Sequence, residues 1–479
     1  MVVAEERDGQ LVIIDRLKEM VRLAAGLDEK NNLAPDVEQV ALECLQKFGQ
    51  RLREFSAEDV SAVGTNTLRR IHNAKKFLPR AEQMLGHSIE IISGIEEARL
   101  VYQGVAHGLE ADSLRKLVVD IGGGSTELII GEGLSCIMMD SLEMGCVTIT
   151  RRFFADGKIT DAAIQRARVY VLQKMRAIRH QFQHQGWDIA FGASGTIRET
   201  CNIVQALGLV DSEGISFESL IKLLNELKRF DTLESINIEG LSEHRVPVYL
   251  GGLIILQGVF EALDIAQMRV SDNALREGLL YDLLGRHQNR DIRNQSVQLL
   301  ANRFHVDNEQ AGRVESLTSN FLKQVFDTWS LKFSDSQKLI SWASALHEIG
   351  RDISQRAYYK HSAYIIENTD LAGFSQQEQQ RLAVLVRCHK GKLRKSAFNI
   401  LNENYRMPVM KLTVLFRIAI IFHRSRVSVA MPAISLVARG RRLVIRVPAE
   451  WIDQHPLTLS DLQQEVEELK AIQFKLSIE

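Results

Sequence analysis

The stretch that most limits what this chain can become is Lys116 to Gly131, KLVVDIGGGSTELIIG. Leu117 to Ile121 is an apolar, β-branched run, as a buried strand requires, and Leu128 to Ile130 is a second. Between them lie Gly122, Gly123, Gly124, Ser125 and Thr126. A strand on each side makes the glycines the tip of a β-hairpin. A dinucleotide-binding or Walker-type loop would need a helix after them. One acid stands on each side of the tip, Asp120 and Glu127. A carboxylate is costly to bury unless a cation or donors meet it. The pattern predicts a phosphate-cradling hairpin whose two carboxylates suit a divalent metal. The alternative is a tight turn with a buried Asp accepting backbone hydrogen bonds.

The totals exclude several classes. A chain of 479 residues has room for about three domains. Lys and Arg number 59 against 60 Asp and Glu, a net charge of -1. Nothing global points to nucleic acid or a membrane surface, so any anion site must be built locally. The five cysteines are scattered, with no CxxC. That favours a reducing, cytoplasmic compartment without a disulfide framework or zinc site. No signal peptide and no apolar run long enough to span a bilayer stands out. Peripheral attachment at the inner face of the cell membrane stays open.

Along the chain, Asp8-Gly9 is a hairpin turn signal, and Leu11 to Leu23 reads as a long strand. A helix follows over Asp36 to Phe55, then a strand at Val60 to Val63 and a helix at Leu68 to Leu85. Ile89 to Ile92 is a strand leading to a helix near Glu96. After the hairpin come a strand (Ile137 to Ser141), a helix (Thr160 to Gln183), and the strand Ile189 to Phe191 before a further helix. Pro247 to Phe260 reads as a turn ending at Gly251-Gly252 and a buried helix. Met268 to Val270 is a strand and Ala274 to Leu284 a helix. Two successive α/β units suggest two lobes around a cleft. From Arg286 to His423 helical periodicity dominates. Ile434 to Val437 and Leu443 to Val447 then alternate like a hairpin.

Besides the hairpin, three strand ends carry candidate chemistry. Thr65, Asn66 or Thr67 can cap a helix whose Arg69 or Arg70 would hold a phosphate oxygen. Ser194, Gly195 and Thr196 open another helix and make a second anion cradle. Ser93-Gly94-Ile95-Glu96-Glu97 places two acids at a helix start, where the macrodipole favours them anyway. Glu97 is the candidate general base if it faces the cleft. No Ser-His or Cys nucleophile arrangement stands out, so direct attack by water is the simpler chemistry.

These residues carry a resemblance. The chain resembles the exopolyphosphatase / guanosine pentaphosphate phosphohydrolase family. The matching stretches are RLKEMVRLAAGL (Arg16 to Leu27), VGTNTLRR (Val63 to Arg70), ISGIEEARLVYQGV (Ile92 to Val105), VVDIGGGSTELIIG (Val118 to Gly131), MGCVT (Met144 to Thr148), GASGT (Gly192 to Thr196) and SDNALREGLLYD (Ser271 to Asp282). It implies an α/β fold of two actin/sugar-kinase-like (ribonuclease H-like) lobes, 1–100 and 101–285. An HD-like helical domain, 286–410, and a small C-terminal α+β domain, 411–479, would follow. It further implies a magnesium-dependent exopolyphosphatase releasing terminal orthophosphate from inorganic polyphosphate. The alternative substrate is guanosine pentaphosphate, and the assembly is a homodimer. By the same resemblance Glu97 is the base, Asp120 and Glu127 hold metal, and Arg69 binds phosphate. The assigned phosphate ligands are Thr67, Arg69, Gly122, Gly123, Gly124, Ser125, Ser194, Gly195 and Thr196.

Three departures from the family are visible. Family members carry a strand and phosphate loop of the type DLGSNSFH ahead of the position of Met1. Taken literally, its lack predicts weak or no turnover, or a polyphosphate-binding protein that does not catalyse. Asn273 stands where glycine is commoner. The helical domain resembles HD phosphohydrolases without their metal set: His347-Glu348 replaces His-Asp, Gln310 stands for a ligand histidine, and His361 and His389 remain. A retained scaffold is the expected reading. Basic clusters at Lys390 to Lys395, Arg424 and Arg426, and Arg439 to Arg442 are candidate guides for a polyanion.

Overall fold

A computed structural model describes the chain except residues 8–9, 29, 111, 210–213, 289 and 428–430. The Asp8-Gly9 turn signal thus lies outside the described residues. The chain divides into two units, Met1–Asp291 and Ile292–Glu479.

The first unit begins with an antiparallel pair, β1 (Val2–Arg7) and β2 (Gln10–Arg16). The strand expected to run to Leu23 stops at Arg16, opposite Val2, and Leu23–Gly26 form a 3-10 turn. Helix α1 (Pro35–Leu52) follows, then β3 (Val63–Gly64), α2 (Asn66–Arg70) and α3 (Ala74–Leu85). The single helix expected at 68–85 is therefore broken. Ile71 is extended, His72 donates its N–H to the Asn31 carbonyl, and the Asn73 side chain accepts from the Leu33 N–H. β4 (Glu90–Ile91) pairs in parallel with β3 and leads into α4 (Gly94–His107).

The remainder of this unit is built on one six-stranded sheet. Its strands are β5 (Arg115–Ile121), β6 (Thr126–Glu132), β7 (Ser135–Leu142), β8 (Ile189–Ala193), β9 (Ile215–Ser216) and β10 (Gln267–Val270), in the order β7-β6-β5-β8-β10-β9. β5, β6 and β7 form an antiparallel meander, while β8 runs parallel to β5 and to β10. Leu117, Val118, Val119, Leu128, Ile129 and Ile130 are fully buried, which is why both hairpin strands read as continuous apolar runs.

The connecting helices are α5 (Cys146–Phe153), α6 (Asp161–Arg176), α7 (Arg179–Gln185), α8 (Ser194–Ala206), α9 (Phe217–Leu227), α10 (Val246–Leu263) and α11 (Leu275–His287). The helix expected at 160–183 is two helices, and α5 gave no signal in the pattern. Gly251 and Gly252 end no turn; they lie inside α10. A Cβ on Gly251 would fall 2.7 Å from the Cys146 carbonyl, and one on Gly252 2.5 Å from Thr196. The glycines let α10 pack closely on α5 and α8. α10 is long and apolar enough to cross a membrane, contrary to the sequence reading, yet it is mostly buried in the core under the sheet.

The second unit contains α12 (Ile292–Arg303), α13 (Asn308–Val325), α14 (Phe333–Leu346), α15 (Tyr358–Asn368), α16 (Gln376–Cys388) and α17 (Glu403–Phe422). A three-stranded sheet follows. β11 (Ser435–Arg439) and β12 (Arg442–Arg446) are the expected hairpin, and β13 (Lys475–Ile478) runs parallel to β12 after α18 (Ala449–Gln454) and α19 (Pro456–Lys470). A boundary at 410/411 would cut α17, and one at 100/101 would cut α4. The helices and this sheet share one core running from Val297 to Leu476. Within it Arg417 donates to Glu465 at 2.5 and 2.7 Å and to the Cys388 carbonyl at 2.9 Å, tying α17 to α19 and α16.

Candidate active site

Three carboxylates meet at the hairpin end of the large sheet. The β5–β6 register sets Asp120 directly opposite Glu127, so the two share a face of the sheet. Glu127 is buried, and Ser141 on β7 donates to it at 2.8 Å. Asp120 is half-buried. Glu97 reaches the pair from the first turn of α4, which Ser93 caps by accepting from the Glu96 N–H at 3.1 Å.

The electrostatics show that the three sense one another. Burial, then Glu97, push the Asp120 carboxyl up to about 6. Burial, then Glu97 and Asp120, hold Glu127 well above the usual carboxylate range, against hydrogen bonds from Ser125 and Ser141. Burial also raises Glu97, opposed by Arg69 and by a hydrogen bond from Thr65. Arg69 donates to Glu97 at 3.0 Å and to the Ile92 carbonyl at 2.7 Å. Clustered acids raised by desolvation and like charge are short of positive charge.

Glu96 has a different task. It pairs with Arg99 at 2.7 and 2.8 Å, and Arg99 also meets Asp282 at 2.5 Å. This buried network docks α4 on α11 and takes Glu96 out of the chemistry.

The predicted phosphate ligands divide into two groups. Ser125 and Ser194 both face acids: the first hydrogen bonds Glu127, the second Asp120. The Ser194 hydroxyl also accepts from the Ile121 N–H at 3.3 Å, and Ser194 sits at φ +82, rare for a residue with a side chain. The Gly122 and Gly123 carbonyls accept from the Cys146 and Val147 N–H groups, both at 3.0 Å. The start of α5 thus braces the hairpin. None of the three hairpin glycines lies at positive φ. Gly124 is required by proximity, since a Cβ there would fall 2.2 Å from Asn66 Oδ1. Thr65 heads α2 without a side-chain cap bond, and Thr67 faces a cavity with Arg70 rather than the acids.

Two cations escaped the sequence reading. Arg198 and Arg245 both lower Asp120. Arg245 lies over Gly195, where a Cβ would be 1.6 Å from its Nη2, and makes a 3.5 Å contact to the Thr196 hydroxyl. Arg198 Nε is buried without a hydrogen-bond partner. Arg198 stands four residues after Ser194, one turn along α8, which is the signal that could have found it. Arg245 is remote in sequence and gave none.

The chain matches the Ppx/GppA phosphatase family over residues 2–287, and that family's domain III over 292–466. The chain belongs to the Ppx/GppA phosphatase family. It is a hydrolase acting on phosphoric anhydrides. A guanosine-5'-triphosphate,3'-diphosphate pyrophosphatase of Pseudoalteromonas translucida is 37% identical over 482 residues, covering 100% of this chain and 95% of its own. A Ppx/GppA family member from Aquifex aeolicus is similar in structure, with a TM-score of 0.50 and 26% identity, covering 60% of this chain and 94% of that one. An exopolyphosphatase from Cytophaga hutchinsonii shares the fold, with a TM-score of 0.54 at 23% identity over 59% of this chain and 93% of that one.

In this Ppx/GppA chain the HD-like position is built differently from a metal site. Glu348 is held by Arg351 at 2.7 Å and by Arg426. His347 Nδ1 pairs with the Ser344 carbonyl at 2.8 Å, and burial lowers both His347 and His389. Two guanidiniums already neutralise Glu348, so a metal ion would meet repulsion there. The basic cluster at Arg424 and Arg426 is likewise engaged, with Asp461 for the first and Asp307 and Glu348 for the second. Asn273 avoids positive φ, so its backbone does not call for glycine.

Proposed function

We propose that this cleft releases terminal orthophosphate from a phosphoanhydride chain, with guanosine pentaphosphate as the first substrate to consider. The convergence of Glu97, Asp120 and Glu127 with Arg69 at the hairpin supports the chemistry. The full-length similarity to a guanosine-5'-triphosphate,3'-diphosphate pyrophosphatase supports the substrate. Inorganic polyphosphate is the second reading: the ISGIEEARL and DIGGGSTE motifs are those of the family as a whole and are compatible with either substrate.

Arg69 begins on Glu97. A terminal phosphate entering the site competes for that guanidinium, which forms bidentate bonds with phosphate. Losing its cation, Glu97 becomes a stronger base. It takes a proton from water as the water oxygen bonds to phosphorus, and the bridging P–O bond breaks toward the shortened chain. Arg198 and Arg245 lie near Asp120, where they can offset charge on the phosphoryl oxygens.

The donor set also fits magnesium. Asp120 and Glu127 offer oxygen ligands raised by mutual repulsion, the environment a hard divalent cation relieves. When bound there, directly or through water, magnesium would neutralise the phosphate oxygens.

Glu97→Gln tests the reading. Turnover of guanosine pentaphosphate and of polyphosphate should fall about a thousandfold or more, while substrate still binds. Near-normal turnover in that variant removes Glu97 from the role. Relative kcat/KM on the two substrates in the wild type decides between them.

A further inference from the structure

The three arginines near the acids stand on different footings. Arg69 lies in α2 and Arg198 in α8. Arg245 lies just ahead of α10, at the end of a turn closed by its own N–H, which donates to the Ser242 carbonyl at 2.9 Å. A long side chain carried on a turn has many rotamers to lose before it can meet a charge at a fixed point. The turn itself must be held for Arg245 to be useful.

Glu199 holds it. Both donors of Ser242 converge on the Glu199 carboxylate, the backbone N–H at 3.1 Å and the hydroxyl. The oxygen that takes the hydroxyl, Oε1, also lies 3.9 Å from Arg245 Nε. One carboxylate thus fixes the first residue of the turn and faces the side chain of the last. Its side chain is only 14% exposed, so its charge is poorly screened by water. On the outer side Arg22 donates to the His244 carbonyl at 3.2 Å, an exposed contact that carries no charge pairing.

This geometry aims Arg245 without occupying it. A separation of 3.9 Å is too long for a hydrogen bond, so Glu199 steers the guanidinium by charge and leaves its N–H groups open. Among the described residues the one side-chain hydrogen bond of Arg245 is the 3.5 Å contact to the Thr196 hydroxyl. Its Nη2 lies over Gly195, at the start of α8. Adjacent residues on a helix point about 100° apart. Arg198 therefore acts on Asp120 while Glu199, next to it, reaches the turn.

We infer that Glu199 is a positioning residue: through Ser242 and through its own charge it sets the Arg245 guanidinium where negative charge develops on the phosphoryl oxygens. It touches no substrate itself. The inference rests on the activity reading above.

The test is a double-mutant cycle with Arg245. Glu199→Ala should lower kcat about tenfold or more on whichever of the two substrates the wild type hydrolyses, with KM moved about threefold or less. In an Arg245→Gln background the same substitution should change kcat by less than about twofold, because its target is already gone. An equal loss in both backgrounds marks a merely structural role and overturns the inference, as does an unchanged kcat in folded Glu199→Ala. If Glu199→Ala fails to fold, Glu199→Gln goes through the same cycle. It keeps an acceptor for Ser242 and removes the charge that faces Arg245.

A wild type that hydrolyses neither substrate fails the activity reading. The positioning is then decided by phenylglyoxal, which modifies accessible guanidiniums. Mass spectrometry should find Arg245 modified about threefold or more faster in the Glu199 variant than in wild type, with Arg198 unchanged, as the side chain leaves one orientation for many. Equal rates at Arg245 overturn the inference.

Discussion

Asp120 and Glu127 are direct partners across the β5–β6 ladder, two acids on one face with four residues of loop between the strands. Like charges placed directly opposite destabilise a sheet. The fold accepts that cost at the point where it needs a cation, and the raised carboxyls record it.

The first prediction concerns stability and pH. The Asp120 carboxyl titrates near 6 in the folded chain against an ordinary 3.8, so the folded state holds the proton more tightly. Stability is therefore greatest below pH ~4 as far as this group is concerned, and falls as pH rises toward ~6 and above. Asp120→Asn removes that loss. Without added metal it should raise the stability at pH 7.5 by on the order of 2 kcal/mol, and should abolish turnover. Thermal melts of both proteins at pH 5 and pH 7.5 check this. A variant less stable than wild type at pH 7.5 contradicts it.

A second prediction follows for magnesium. A divalent cation between Asp120 and Glu127 binds their ionised forms and competes with protons. Added magnesium should raise the melting temperature more at pH 8 than at pH 5, and the shift should shrink in Asp120→Asn. Equal shifts at both pH values, or an undiminished shift in the variant, place any magnesium elsewhere.

Backbone proximity gives the third. A Cβ on Gly145 would sit 2.3 Å from the Gly123 carbonyl carbon and 2.4 Å from the Gly124 nitrogen, both main chain. One on Gly123 would meet only Val147, at 3.5 Å. Gly145→Ala should cost roughly 1–3 kcal/mol of stability and displace the hairpin, lowering kcat. Gly123→Ala should melt like wild type, so any activity it loses reports crowding of the substrate. Denaturant unfolding of the two variants side by side is the measurement.

The hairpin was legible in the sequence because burial and chemistry coincide there. Both strands are buried on two faces, so they read as unbroken apolar runs, and each acid interrupts the pattern visibly. Glu97 was legible because it follows a capped helix start. The break at Ile71–Asn73 was not, because it depends on hydrogen bonds to Asn31 and Leu33, about forty residues away in sequence, for which helical periodicity has no sign. Arg245 was hidden for the same reason. Its place over Gly195 is fixed by how α10 packs on α8, and nothing local distinguishes it from a surface arginine. The serines were legible as hydroxyls at the turns, but their hydrogen bonds to carboxylates, Ser125 to Glu127 and Ser194 to Asp120, depend on the folded register and left no sign in the pattern.

Ser194 carries the last prediction. At φ +82 it adopts a backbone that suits glycine, and its hydroxyl stabilises the ionised form of Asp120. Ser194→Ala loses the hydrogen bond and keeps the strain. Ser194→Gly loses the hydrogen bond and relieves the strain. The glycine variant should therefore be more stable than the alanine variant by about 1–2 kcal/mol. Both should lose activity alike. Without the hydroxyl the Asp120 carboxyl rises further, so the acid limb of the pH–rate profile should move to higher pH in both variants. If the two variants melt together, the backbone stores no strain at this turn. If the acid limb stays where it is in wild type, Ser194 does not set the ionisation that turnover requires.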